Sequence, residues 1–315
     1  MKALRRAALV AGLFLLNGCA LRPAIEFHEP AASLELDATP FFPQTAHHCG
    51  PAALATLLGA EGIAVSPDEI SPLIYTPGRK GSLKAEMIAA ARRYQRLPLR
   101  TASEPEALFA ALADGKPVLV LQNLGLERWP QWHYAVLIGY DTATDTFLLR
   151  SGTERRQVMS ATRFLSSWSR AERWAFVLVK ADVVPSFATT QNWLAAAAPF
   201  ESLGQISIAR RAYEAATTRW PDEPLTWQAL ANAHYADKEI DAAEQALRRA
   251  LELDPAAVAA RHNLAFVLLE RGCPAAAARE LKRITDVPAS MQVEFDRTSA
   301  SIMASTTADG PDCPR

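Results

Sequence analysis

The chain has 315 residues, long enough for a second domain, and half of them are apolar, enough to bury real cores. Thirty-three Lys and Arg against 34 Asp and Glu leave a formal net charge of −1, which excludes the strongly basic balance of a nucleic-acid partner. Its four cysteines each call for an assignment.

At the N-terminus, Lys2, Arg5 and Arg6 precede an apolar run from Ala7 to Leu16. This is a signal-peptide pattern, too short to span a bilayer. Leu16-Asn17-Gly18-Cys19 ends it and resembles a bacterial lipobox. That resemblance implies removal of residues 1–18 and acylation of Cys19 on its thiol and amine. Three acyl chains, at ~0.8 kcal/mol per buried CH₂, would anchor the protein firmly to a membrane. Ala20, not Asp, follows the cysteine. Among Gram-negative lipoproteins this implies the outer membrane, here its periplasmic face. An ordinary secretory signal with a chance cysteine is the alternative. Residues 19–39 carry Pro23 and Pro30 and read as a tether. Phe41-Phe42-Pro43 is expected to open the folded domain, over 40–185, in extended form.

An apolar helix follows over about 50–59. Ser66-Pro67-Asp68-Glu69 is an N-cap signal for a short second helix. Gly78 to Gly81, with Arg79 and Lys80, reads as a basic solvated loop. A helix over 82–95 places Leu83, Met87, Ile88 and Ala91 on one face. A short strand is expected over 97–101, a helix over 104–113 and a buried strand over 117–122. Trp129-Pro130-Gln131-Trp132 makes an aromatic loop, for which groove lining and simple packing fit equally. It feeds a strand over 133–140, a turn at 141–145 and a returning strand over 146–151. A strand at 155–159, a helix at 161–169 and a strand at 174–180 close the domain. Helices first and strands later argue α+β, with helices packed on an antiparallel sheet.

Beyond residue 189 the chain turns to alanine-rich helix with a repeat every 34 residues. Trp193 and Trp227 share this step, as do Ala209, Ala243 and Ala277, and Tyr213, Leu247 and Leu281. Period and pattern resemble the tetratricopeptide repeat, which implies an all-α domain over 189–289 that docks a protein partner. The middle unit, 224–257, fits best. The third has Arg261 where an aromatic is expected and reads as a degenerate cap. Residues 290–315 read as a polar, poorly packed tail. In an oxidising compartment Cys273 and Cys313 can pair and tie that tail back; two free thiols are the alternative.

Chemistry concentrates at Gln44 to Leu54. Cys49 falls where a helix begins, and the positive end of the helix dipole is expected to lower its pKa toward thiolate. Gly50 permits close approach, and Pro51 suits a first helical turn. The Gln44 amide and the Cys49 N–H can share an oxyanion. His133, at the head of a strand, is the expected base. A metal site built from His47, His48, Cys49 and His133 lacks ligand spacing, so no cofactor is expected. His47 and His48 read as rim residues, and His28, His234 and His262 have no motif around them.

Gln44-x4-Cys49-Gly50-Pro51-Ala52-Ala53-Leu54, followed by His133-Tyr134-Ala135-Val136 and Gly139-Tyr140-Asp141, resembles the bacteriocin-processing (double-glycine) type of papain-like cysteine peptidase over roughly 40–182. The resemblance implies hydrolysis of a peptide or protein substrate, with Gln44 as oxyanion donor, Cys49 as nucleophile and His133 as base. His48 stands where the family often has Asp. Arg150-Ser151-Gly152 replaces its Asp-Pro pair, so Ser151 aligns with the carboxylate that would orient the histidine. Asp141 is no substitute, since eight strand residues place it about 26 Å from His133. The hairpin returns Ser151 to Glu154 instead, and Glu154 is a second candidate. Three functions stay open: a peptidase, a non-catalytic peptide-binding adaptor, or an acyl transferase using the same thiol.

Overall fold

The computed structural model describes residues 32–44, 48–79, 81–305 and Cys313. The signal segment, Cys19, His28, His47 and Lys80 lie outside the described residues. The first element is β1 (Ser33–Glu35), then α1 (Cys49–Ala60), α2 (Pro67–Ile74), β2 (Tyr75–Thr76), β3 (Gly81–Ser82) and α3 (Lys84–Arg93). Next come β4 (Leu97–Arg100), α4 (Pro105–Ala113), β5 (Val118–Asn123), β6 (Trp132–Asp141), β7 (Thr146–Ser151), β8 (Glu154–Ser160), α5 (Ala161–Ser169) and β9 (Ala175–Val179). The main sheet is antiparallel, in the order β4-β9-β5-β6-β7-β8, with β1 added against β6.

Helix α1 is buried almost all round, from Gly50 to Leu58. Its leucines join Leu119, Leu121, Val136 and Ile138 of the sheet and Met87 of α3 in one core. Fully covered helices are hydrophobic on every side, which is why the stretch shows no polar stripe. Ser66 caps α2 reciprocally with Glu69: the Glu69 N–H donates to Ser66 Oγ at 3.3 Å, and the Ser66 N–H to Glu69 Oε2 at 2.8 Å. The expected basic loop at 78–81 instead ends in β3, which pairs with β2 as a short ribbon. Helix α3 starts at Lys84, two residues later than its hydrophobic pattern suggested, because the Glu86 carboxylate accepts the Leu83 N–H at 2.9 Å.

The expected tether over 19–39 is corrected at its C-terminal end. Strand β1 pairs Ser33–Glu35 with Asp141–Gly139. A Cβ on Gly139 would collide with the Leu34 carbonyl, so glycine is what lets this strand lie down. The buried Arg150 guanidinium then donates to the carbonyls of Asp37 (2.8 Å) and Thr39 (3.0 Å). Residues 33–39 therefore belong to the folded domain.

The helical region comprises α6 (Thr190–Ala197), α7 (Pro199–Ser202), α8 (Ile206–Arg219), α9 (Pro224–Ala236), α10 (Ile240–Leu253), α11 (Val258–Glu270), α12 (Pro274–Lys282) and α13 (Gln292–Ala304). Helix α6 packs on the edge strand β4, and Asn192 Nδ2 donates to the Arg100 carbonyl at 3.3 Å. Covering that edge shields its unpaired backbone groups from pairing with another chain. The 34-residue step is structural: Ala243, Leu247, Ala250, Ala277 and Leu281 are all buried in the interhelical core. Trp193 is fully buried, and its indole N–H donates to the Ala212 carbonyl at 2.7 Å.

The expected poorly packed tail is corrected over 292–304. Helix α13 packs on α11 and α12, with Phe295 and Ile302 against the repeat core. Thr298 is buried and hydrogen-bonds His262 Nε2 at 3.0 Å. A disulfide joins Cys273, at the start of α12, to Cys313.

Candidate active site

The cleft forms where β6 outruns its neighbour. β7 pairs with β6 as far as Val136 opposite Arg150, leaving Tyr134 and His133 beyond the paired region on that side. The N-terminus of α1 enters here. The Gln44 N–H donates to the Gly152 carbonyl at 2.9 Å, fixing Gln44 to the β7–β8 turn. Gln44 Nε2 points to the Tyr134 carbonyl at 3.5 Å. An amide nitrogen carries two hydrogens, so one N–H stays available to a ligand. Gln44, Cys49 and His133 all line one cleft of about 1020 Å³.

Gly50 has a specific steric reason. A Cβ there would lie 2.5 Å from Ser82 Oγ and 2.8 Å from Ser82 Cβ. The Ser82 side chain of β3 thus lies against the α1 backbone at Gly50, next to the thiol. The Tyr134 hydroxyl donates to the Ser82 carbonyl at 3.2 Å, joining sheet and helical walls of the cleft.

His133 Nε2 lies 2.9 Å from Ser151 Oγ, and Ser151 is buried. With the proton on Nε2, the hydroxyl accepts and Nδ1 remains the basic nitrogen. Glu154, the other candidate, is exposed on the far side of the turn.

Burial pushes the Cys49 thiol up. The N–H groups of Tyr134, Gly50 and Cys49 itself pull it back only in part. The expectation of a thiol lowered by the helix terminus is therefore not met: desolvation outweighs the backbone N–H groups aimed at the sulfur. Burial also pushes the His133 imidazole down. Both shifts favour the uncharged thiol and uncharged imidazole as the resting pair.

Trp132, Pro130 and Gln131 line the cleft, whereas Trp129 does not. His48 sits at the N-cap of α1 in edge-on contact with the Tyr75 ring, centroids 5.0 Å apart. Among the described residues no group of three or more His, Cys, Asp or Glu is arranged to hold a metal ion. Ser82, Tyr134 and the Lys84–Glu172 pair, 2.6 Å apart on the cleft wall, were not singled out from sequence. The alternation of Trp132 and Tyr134 on β6 was the available signal for two side chains on the cleft face.

A helical wall carrying Cys49 at a helix start thus stands against an antiparallel sheet carrying His133. Residues 36–176 match the Peptidase_C39 like family, and residues 224–267 match the tetratricopeptide repeat, so the chain carries a C39-like domain followed by repeat helices. Among solved structures, it is similar to a C39-like peptidase from Bacillus anthracis at 20% identity, over 47% of this chain and 98% of that one, with a TM-score of 0.39. It is also similar to the peptidase domain of Streptococcus ComA, a bifunctional ABC transporter involved in quorum sensing, at 22% identity (45% and 98% coverage, TM-score 0.36). A double glycine motif protease from an AMS/PCAT transporter, solved with the leader peptide, matches at 21% identity (44% and 89% coverage, TM-score 0.35). No curated protein matches the chain.

Proposed function

We propose that this protein is a cysteine peptidase of the bacterial envelope. The observation that carries the reading is the His133–Ser151 hydrogen bond, made at the cleft that also holds Cys49 and Gln44. His133 takes the Cys49 proton as the sulfur attacks a peptide carbonyl. The Cys49 N–H and the Gln44 amide receive the oxyanion. The imidazolium protonates the leaving amine, and water then hydrolyses the thioester. Terminal-peptide proteomics of wild-type and Cys49→Ala cells tests this: new N-termini must vanish in the variant, and their persistence defeats the reading.

The envelope address rests on the charged start, the apolar run and Cys19. A Cys273–Cys313 disulfide accords with an oxidising compartment. Acylation at Cys19 would hold the chain on the periplasmic face of the outer membrane, with the repeats docking a protein partner or presenting substrate. Metabolic labelling with an alkyne fatty acid must mark the wild type and not Cys19→Ser.

A second reading, a peptide-binding adaptor, draws on the uncharged resting pair and on the serine in place of a carboxylate. Labelling of Cys49 by an electrophile across pH separates the two. A thiol that reacts faster than a free cysteine supports the peptidase; an inert one supports the adaptor.

A further inference from the structure

Apolar side chains from the sheet and from the start of α3 line the cleft that holds Cys49. On the sheet side, Leu121 and Tyr134 are cross-strand neighbours, so their side chains share a face, and Trp132 stands on that face two residues before Tyr134. On the helical side stands Leu83. All four line the cleft. Trp132 is 55% exposed and Leu83 40%, whereas Leu121 and Tyr134 are buried in the domain core. The outer wall carries the Lys84–Glu172 ion pair.

The backbone that carries Trp132 is also fixed before any ligand arrives. Asn123, its cross-strand partner, is buried. Its Oδ1 accepts the N–H groups of Gly125 (3.0 Å) and Gln131 (2.9 Å). The Leu124 N–H donates to the Gln131 carbonyl at 2.9 Å. Arg170 donates to the Asn123 carbonyl at 2.9 Å. A loop tied this closely loses little freedom on binding.

The cleft of about 1020 Å³ stands at the upper end of ordinary ligand pockets, ~300–1,000 Å³. Two glycines, having no side chains, would leave the exposed Trp132 and Leu83 in water. We propose that this cleft selects a bulky apolar side chain within two residues of the scissile bond, seated between Leu121, Trp132 and Tyr134 on one wall and Leu83 on the other. The preference is for such a residue over a Gly-Gly pair. This substrate class rests on the peptidase reading, since it places the side chain relative to a bond that Cys49 attacks. The apolar area buried drives the binding, and burying an aromatic ring against Trp132 adds edge or face contact.

The test separates binding from chemistry. Full-length Cys49→Ala protein is titrated with two hexapeptides that differ only at their central pair, Gly-Gly or Leu-Phe. The Leu-Phe peptide is expected to bind roughly 10-fold tighter. That ratio should collapse in Cys49→Ala/Trp132→Ala, recover largely with Trp132→Phe, and survive Trp129→Ala, whose side chain is exposed outside the cleft. Equal or tighter binding of Gly-Gly, binding of neither peptide, or a ratio unchanged by Trp132→Ala overturns the proposal. In parallel, wild-type enzyme digests a mixed peptide library, and cut sites are read by mass spectrometry against Cys49→Ala. Cuts flanked by large apolar residues are expected, and cuts confined to Gly-Gly overturn the proposal. If wild type cuts nothing while the Leu-Phe preference holds in the titration, the peptidase reading fails and the apolar subsite stands.

Discussion

Ser151 Oγ and His133 Nε2 are 2.9 Å apart, so the imidazole is oriented by a neutral hydroxyl rather than by a carboxylate. A hydroxyl fixes the ring but adds no negative charge to stabilise imidazolium. Ser151→Ala should lower the rate of Cys49-dependent cleavage roughly 10-fold or more, as loss of a ring-orienting partner does in histidine sites. Ser151→Asp should raise the His133 pKa and increase the thiolate fraction. Rates of iodoacetamide alkylation against pH read both. A pH profile that does not move in Ser151→Asp would show that the side chain at 151 has no electrostatic hold on the pair.

The resting pair also sets a pH window for stability. The His133 pKa is depressed by burial, so the unfolded chain takes up a proton first as pH falls below ~6.5, and stability drops. The Cys49 pKa is raised, so the unfolded chain loses its proton first as pH rises above ~8.5, and stability drops again. Between those limits this pair favours the fold fully. Thermal melts across pH 5 to 10 should show the alkaline decline weakened in Cys49→Ala and the acid decline weakened in His133→Gln.

Gly50→Ala should destabilise the domain by ~1–3 kcal/mol, because its methyl meets Ser82 Oγ and Cβ at 2.5 and 2.8 Å. Removing the obstacle in Gly50→Ala/Ser82→Gly should restore part of the loss. Urea denaturation of the two single variants and the double variant measures the coupling; strict additivity would rule out this contact as the cause.

The Cys273–Cys313 disulfide closes a separation of 40 residues and carries α13 within its loop. Chain-entropy reasoning gives a contribution of ~3–4 kcal/mol. Cys313→Ser, or reduction of the wild type, should lower the melting of the repeat helices and increase hydrogen exchange in α13. Alkylation of Cys49 should stay unchanged, since the repeats meet the peptidase-like domain at β4, the edge strand at the other end of the sheet order from β7 and β8.

Much of this site was legible in one dimension because its parts announce themselves locally. A cysteine before Gly-Pro and an alanine–leucine run marks a helix start. An apolar run opened by His133 marks a strand, and a short turn after Asp141 makes the next strand come back, which returned Ser151 to the histidine. The 34-residue step revealed the repeats because each helix pair needs small residues at the same close approach. The boundaries at residues 39 and 290 were misread because strand β1 and helix α13 are short or polar by themselves. Pairing with Gly139 and Asp141 stabilises the first, and packing against the repeat core stabilises the second.

What the sequence determined by itself, then, was the order of the reactive groups, the helix and strand that carry them, and the repeat that follows. Only the tertiary structure decided how they are tuned. The dipole at the start of α1 is a local property and argues for a lowered thiol. Burial is supplied by the elements packed around it, and it pushes the thiol the other way. The need for glycine at 50 comes from Ser82, and the place of Trp132 rather than Trp129 on the cleft from its register opposite Asn123. Desolvation and close contact are set by groups distant in the chain, and no local pattern records which of them will arrive.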